Sequence, residues 1–434
     1  MTSALLTDRY ELTMVDAAMR AGTATRRCVF EVFARHLPSG RRYGIVAGTG
    51  RFIEQLAEFR FGDPELSWLS DNSVVDTDTL EWLANYRFRG NIWGYQEGEA
   101  YFPGSPILVV EGTFAESVVL ETLALSILNY DSAVASAAAR MVSAAGGRPI
   151  AEMGSRRATE RGAVAAARAA YIAGFEATSN LEAGRTWGIQ TMGTAAHSFT
   201  LLHDTEEDAF RAQVAALGSE TTLLVDTYDV TAAVDLAVRV AGTALGAIRI
   251  DSGDLPGQAS AVRKQLDGLG AKHTKITVTS DLDEYTIAAL RAAPVDSYGV
   301  GTSVVTGSGS PTAGMVYKLV AREGADGQWV PVAKKSTAKL SIGGRKSPMR
   351  TLVDGIATSE LLHIESDPDE PTAPAGAGRP LLVPLVTGGE PDTRYLGTAG
   401  TALARAHRAA AVAELPTDAF RLARGEPVIP TIYT

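Results

Sequence analysis

The stretch AIRIDSGDLPGQASAVRKQLDGLGAKHTKITVTS, residues 247–280, is the unit from which the middle of this chain is built. AIRI and KITV are short apolar runs, rich in β-branched residues, of the kind that form strands buried on both faces. Residues 258–269 between them read as a helix. Strand, helix, strand is a crossover unit, and a crossover unit joins parallel strands. The alternation continues on both sides. Upstream lie PIAEM (149–153), a helix over 158–173, FEATS (175–179), a helix-like link, GIQTMG (188–193), a helix over 204–217, TLLVDTY (222–228) and a helix over 231–242. Downstream lie a helix over 282–292 and SYGVG (297–301). The repeat is about 25 residues long, and seven strand candidates favour an irregular α/β barrel, closed or nearly so, over an open doubly wound sheet.

On either side of the barrel the pattern changes. TDRYELTMVDAAMRAG starts the chain with an amphipathic helix, with Thr7 or Asp8 as cap. Strand-like CVFEVFARHLP, a glycine bend leading into a helix at YGIVAGTGRFIEQLAEF, and strands within 88–114 complete an α+β domain. The apolar, alanine-rich run 114–145 leads into the barrel. The expected division is an N-terminal α+β domain at 1–125, a barrel carrying the active site at 126–320, and a C-terminal extension at 321–434 that packs back on both. In that extension a hairpin turns near Gly324 to Gly327, and a last helix covers 401–413. Lys339, Arg345, Lys346 and Arg350 form a basic run, read as a solvated face. ESDPDEPTAPAGAGRP reads as a loop or linker.

Composition narrows the class. A chain of 434 residues, 45% apolar, can bury a large core. Its net charge of -10 offers no basic stripe to replace the counterions of a nucleic acid, so no nucleic-acid partner is expected. Cys28 stands alone, which excludes an internal disulfide and a multi-cysteine zinc cluster. The start has no basic leader, and no apolar run is read as spanning a bilayer, so a cytoplasmic protein without a membrane partner is expected.

In a parallel α/β architecture the ligand lies over the carboxyl ends of the strands. Those ends are polar here: Glu152 with Arg156 and Arg157, Ser179 with Asn180, His197 with Ser198, Asp226 with Asp229, Arg249 with Asp251 and Asp254, Ser280 with Asp281, and Gly299 through Ser303. His197 and Ser198, set in a small-residue turn, suit a base, a phosphoryl acceptor or a substrate-orienting group. Arg249 with Asp251 and Asp254 can grip an anion, hold a diol or bind a metal. Arg156 and Arg157 suit carboxylate or diphosphate recognition. Gly299, Gly301 and Thr302 offer backbone amides and a hydroxyl to a phosphate, without the GK[ST] ending of a P-loop. His36, His203, His273, His363 and His407 stand without companions and read as structural or solvated. No histidine pair has metal spacing, and no G-x-S-x-G elbow argues for a hydrolase.

The segments TDRYELTM, FEVFARHLP, EMGSRRA, FEATSN, GTAAHSF, VDTYD, RIDSGDL, TSDLDE and GVGTSVVTG with MVYKLV follow one another from Thr7 to about Leu319. Together they resemble the nicotinate phosphoribosyltransferase family. The resemblance implies a type II phosphoribosyltransferase-like irregular barrel with an N-terminal α+β domain, in a homodimer whose active sites lie across the interface. It implies transfer of phosphoribosyl from phosphoribosyl pyrophosphate to nicotinate, coupled to ATP hydrolysis and using Mg²⁺, to give nicotinate mononucleotide for NAD synthesis. His197 is then the phosphorylated histidine, with Ser198 beside it. Arg249 and Arg156 lie near the nicotinate carboxylate, with Arg157, Ser280 and Asp281 also binding substrate. Tyr10 reaches the partner's site to stack on the pyridine. Asp251 faces the ribose hydroxyls or the magnesium diphosphate, and Gly299, Gly301 and Thr302 hold the 5′-phosphate. Met153 stands where relatives often carry phenylalanine. Asn180 stands where nicotinamide-using relatives place an aspartate, which favours the anionic substrate. Nicotinamide or quinolinate transfer, and a non-catalytic nucleotide or phosphate sensor, are the alternatives.

Overall fold

The computed structural model describes residues 4–334, 342–365, 367–369 and 378–434. Lys339, and residue 366 with 370–377 of the proline-rich stretch, lie outside the described residues. Two compact units emerge: residues 137–309 form one, and residues 1–136 with 310–434 the other.

In the 137–309 unit the crossover pattern becomes a parallel sheet. Its order is Ala177–Thr178, Ile150–Glu152, Ser297–Val300, Lys275–Val278, Ala247–Ile250 and Thr222–Leu224. Each neighbouring pair is parallel. The register sets the ends level: Ile250 lies opposite Val278, and Val300 opposite Glu152. Residues just beyond those ends therefore emerge along one edge of the sheet. The connecting helices start where a side chain accepts a backbone amide in the first turn. Thr159, Thr205, Asp229 and Asp283 do this for the helices Glu160–Ile172, Glu206–Leu217, Val230–Ala241 and Glu284–Leu290.

The seventh expected strand, 188–193, does not form. It is reduced to one parallel bridge between Thr178 and Thr191. Gly188 turns left-handed (φ +68°) to end the helix Leu181–Trp187, and that helix packs so closely that a Cβ on Gly184 would strike the Thr191 methyl. Too little chain is left for a ladder. The sheet curls into a half-barrel, and among the described residues no pairing joins 188–193 to Thr222–Leu224.

The other unit is built on an antiparallel sheet, with Arg27–Ala34 between Met315–Glu323 and Leu108–Thr113. The hairpin expected near Gly324 is present, Met315–Glu323 pairing with Trp329–Pro331. The initial helix runs over Arg9–Arg20 and buries Leu12, Val15 and Ala18 along one face. Thr7 does not cap it through its side chain; its hydroxyl donates to Glu11.

The basic run is the clearest departure from expectation. Arg345, Lys346 and Arg350 are buried. Arg345 pairs with Glu111 at 2.7 Å, Lys346 with Glu31 at 2.8 Å, and Arg350 with Glu99 and Glu360. His407 also has a companion, its Nε2 lying 2.8 Å from Glu99 Oε2. Glu31, Glu99 and Glu111, more than 200 residues away in sequence, supply most of the partners, so a local charge count reads these cations as solvated when each is neutralised inside. Residues 114–145 are helical except for a short break, and are long and apolar enough to cross a membrane by composition. Yet 67% of their apolar window is buried inside the protein, as in the core helix of a globular protein.

Candidate functional site

A cavity of about 540 Å³ opens over the carboxyl edge of the parallel sheet, within the 137–309 unit. Arg156, Arg157, Arg249, Asp251, Ser280, Asp281, Gly299, Gly301 and Thr302 all line it. The fold brings these nine sequence-predicted residues together at the strand ends. Met153, Ser179, Met192, Thr279 and the turn Gly193 to Ala196 complete the wall.

Arg249 anchors that turn. Its Nη1 donates to Thr194 Oγ1 at 2.6 Å and to Ala195 O at 3.2 Å. Burial lowers its pKa below the ordinary guanidinium value; Asp251 and Asp226 oppose this, while the charge of Arg156 adds to it. Two guanidiniums thus face one cavity, and an anion between them relieves their repulsion.

Asp251 follows the strand Ala247–Ile250. Its Oδ1 accepts from Thr279 Oγ1, and its backbone amide donates to Asp226 Oδ2 at 3.0 Å. Ser252 Oγ donates to the same Asp226 oxygen at 2.7 Å. Asp226 Oδ1 is buried without a hydrogen-bond partner. His197, first residue of the helix His197–Leu202, directs Nε2 to within 3.8 Å of both Asp226 Oδ1 and Asp251 Oδ2. Its Nδ1 lies 3.1 Å from Thr227 Oγ1. The imidazole is 38% exposed, so it can take a group from a ligand beside the two carboxylates.

Close backbone approach shapes the floor. A Cβ on Gly299 would lie 2.6 Å from Thr279 Cγ2 and 2.7 Å from Met153 Sδ, so only glycine leaves this wall open. Ser280 has φ +107°, a conformation rare for a residue with a side chain, at the cavity edge. Glu152, by contrast, is wholly buried, accepting from Thr178 Oγ1 at 2.6 Å and from the Gly154 amide. Burial raises its pKa, and those hydrogen bonds oppose the rise. It braces the loop that carries Arg156 and Arg157.

Other expected residues stand elsewhere. Asn180 does not line the cavity. Its Oδ1 caps the helix Leu181–Trp187 through the Ala183 amide, and its Nδ2 donates to Ser155 Oγ at 3.1 Å. Ser198 is exposed on the His197 helix and also lies outside the lining. Tyr10 belongs to the other unit, 44% exposed on the first helix. Burial raises the pKa of its hydroxyl, with Glu121 as the next cause. Among the described residues no group of three His, Cys, Asp or Glu side chains is arranged to hold a metal. Thr227 and Thr279 were not singled out by the sequence; both sit just past strands, where hydroxyls read equally well as caps.

Known proteins show the same architecture. Residues 5–129 match the model of the nicotinate phosphoribosyltransferase N-terminal domain. The nicotinate phosphoribosyltransferase pncB1 of Mycobacterium tuberculosis (strain CDC 1551 / Oshkosh) is 57% identical, covering 98% of this chain and 94% of that one. The nicotinate phosphoribosyltransferase of Bacillus subtilis (strain 168) is 39% identical, covering 80% of this chain and 73% of its own. The crystal structure of human nicotinic acid phosphoribosyltransferase superposes with a TM-score of 0.83 at 26% identity, covering 99% of this chain and 97% of that one. The fold alone is shared with a nicotinate-nucleotide pyrophosphorylase from Pyrococcus furiosus, with a TM-score of 0.75 at 23% identity over 96% of this chain and 95% of that one. With its half-barrel, its strand-end cavity and near full-length identity to such relatives, the chain belongs to the nicotinate phosphoribosyltransferase family.

Proposed function

We propose that this chain transfers phosphoribosyl from phosphoribosyl pyrophosphate to nicotinate, forming nicotinate mononucleotide and diphosphate for NAD synthesis. The observation that carries the proposal is the convergence of Arg156 and Arg249 on a cavity that Asp251 also lines. Breaking the bond from ribose C1 to diphosphate builds positive charge on the sugar and negative charge on the leaving group. The pyridine nitrogen brings its own lone pair, so the site needs cations and oriented dipoles more than a base. Arg249 and Arg156 fit the nicotinate carboxylate. Asp251 fits the ribose hydroxyls, and the amides of Gly299, Gly301 and Thr302 fit a 5′-phosphate. Arg157, Ser280 and Asp281 complete the substrate contacts.

Coupling to ATP belongs to the same proposal. His197 takes the phosphoryl group, with Ser198 beside it, and a phosphohistidine adds nearly two negative charges close to the diphosphate. That charge biases the loop and the affinity for substrate. The donor set also suits Mg²⁺: Asp251 is partly open to solvent, and Asp226 Oδ1 has no hydrogen-bond donor. Asp251 would hold the ion, which supplies neutralising charge to the diphosphate oxygens. The working form is a homodimer in which Tyr10 serves the partner's site. Asn180, engaged in capping, leaves no carboxylate at that turn to repel an anionic acceptor.

The test is diphosphate release from phosphoribosyl pyrophosphate with nicotinate or nicotinamide as acceptor, with and without Mg-ATP, following ADP in the same reaction. Nicotinate-dependent release with ADP formation is expected. Release with nicotinamide alone, or with neither acceptor, overturns the assignment.

A further inference from the structure

We infer that Thr227 and Thr279 are positioning residues that hold His197 and Asp251 face to face; the inference rests on the transferase function proposed above. An imidazole and a carboxylate each swing about Cβ–Cγ, a broad torsion that packing alone defines poorly. Here each group is held at one of its two polar atoms. Thr227 Oγ1 lies 3.1 Å from His197 Nδ1, and Thr279 Oγ1 donates to Asp251 Oδ1. The atoms left over, His197 Nε2 and Asp251 Oδ2, lie 3.8 Å apart.

The threonines are themselves fixed. Thr279 is buried, its amide donates to Ile250 O at 2.9 Å, and its methyl occupies the space that a Cβ on Gly299 would need. Its χ1 is therefore set by packing on one side and by Asp251 on the other. Thr227 follows Asp226, whose carboxylate is tied to the Asp251 amide and to Ser252. Two strand ends, one on each side of the strand Ala247–Ile250, thus present two hydroxyls to two facing groups. That is the supporting layer a precise site requires, since a displacement of about 1 Å at a reacting group lowers the rate about a hundredfold.

Valine keeps the shape of threonine and removes the hydroxyl; serine keeps the hydroxyl and removes the methyl. Thr227→Val, Thr279→Val and the two serine variants are made in the full chain and assayed for nicotinate-dependent diphosphate release. Each valine variant is expected to lower kcat about tenfold or more, with KM for nicotinate within about twofold, and each serine variant to stay within about threefold of wild type. Thr→Ala replaces a valine variant that does not fold. At fixed pH, the imidazole ¹⁵N shifts of His197 are expected to move in Thr227→Val and to stay in Thr227→Ser. Valine variants with wild-type kcat, or serine variants as slow as valine, overturn the inference. A wild type without nicotinate-dependent release overturns the transferase proposal instead. The ¹⁵N shifts then decide the positioning role of Thr227 alone, unchanged shifts in Thr227→Val overturning it.

Discussion

Asp226 and His197 face each other across 3.8 Å, and the Asp226 oxygen on that line, Oδ1, is buried without a hydrogen bond while its twin accepts two. A buried carboxylate oxygen with no donor is costly unless positive charge lies near it. At this distance the two groups interact through charge, not a hydrogen bond. Asp226 therefore sets a buried carboxylate oxygen directly beside the imidazole.

Asp226→Asn removes that charge and keeps an oxygen for the Asp251 amide and Ser252. Diphosphate release in the presence of Mg-ATP is expected to fall about a hundredfold, with a melting temperature close to wild type. Steady-state kinetics and calorimetry on the same preparation check it. Activity within twofold of wild type would show that the charge is not used.

A second prediction concerns pH. Glu11 is buried in the first helix, where the Thr122 amide donates to it at 3.0 Å and the Thr122 and Thr7 hydroxyls also donate. Burial outweighs these bonds and pushes its pKa up, from the ordinary 4.5 to about 7. Between those values the folded chain holds a proton that the unfolded chain has released, so stability falls as pH rises through the window. Glu11→Gln removes this dependence. Denaturation followed from pH 5 to pH 8 is expected to show wild type losing stability relative to the variant, and parallel curves would refute the raised value.

The sequence made the half-barrel legible because its evidence is local. Apolar runs such as AIRI and KITV, each followed by a polar residue, need no distant partner to be recognised. Arg249, Asp251, Ser280 and Gly299 stand at or just past such runs, and the fold places them along one edge. What escaped depended on distant chain. Arg350 reads as a surface cation until Glu99, 251 positions away, is brought to it. His407 reads as solitary until the same glutamate reaches its Nε2. GIQTMG has the apolar pattern of a strand, but the helix packed at Gly184 leaves Thr191 room for one bridge. Asn180 illustrates a further limit, since one residue type serves equally as a helix cap and as a ligand contact.

The last prediction concerns the arginine that joins the cavity to the histidine turn. Arg249 donates through Nη1 to Thr194 Oγ1 and to Ala195 O, three and two residues before His197. The same guanidinium lines the cavity together with Arg156. A lysine keeps the charge but places it at one point, so it cannot hold the turn and face a carboxylate in a planar fork at once. Arg249→Lys is therefore expected to raise KM for nicotinate about tenfold or more and also to lower kcat, because the turn before His197 loses its tether. Nicotinate saturation curves, with phosphoryl labelling of His197 from ATP in parallel, separate the two effects. A higher KM with unchanged labelling would confine Arg249 to substrate binding. Reduced labelling without nicotinate would show that the arginine also orders the histidine turn.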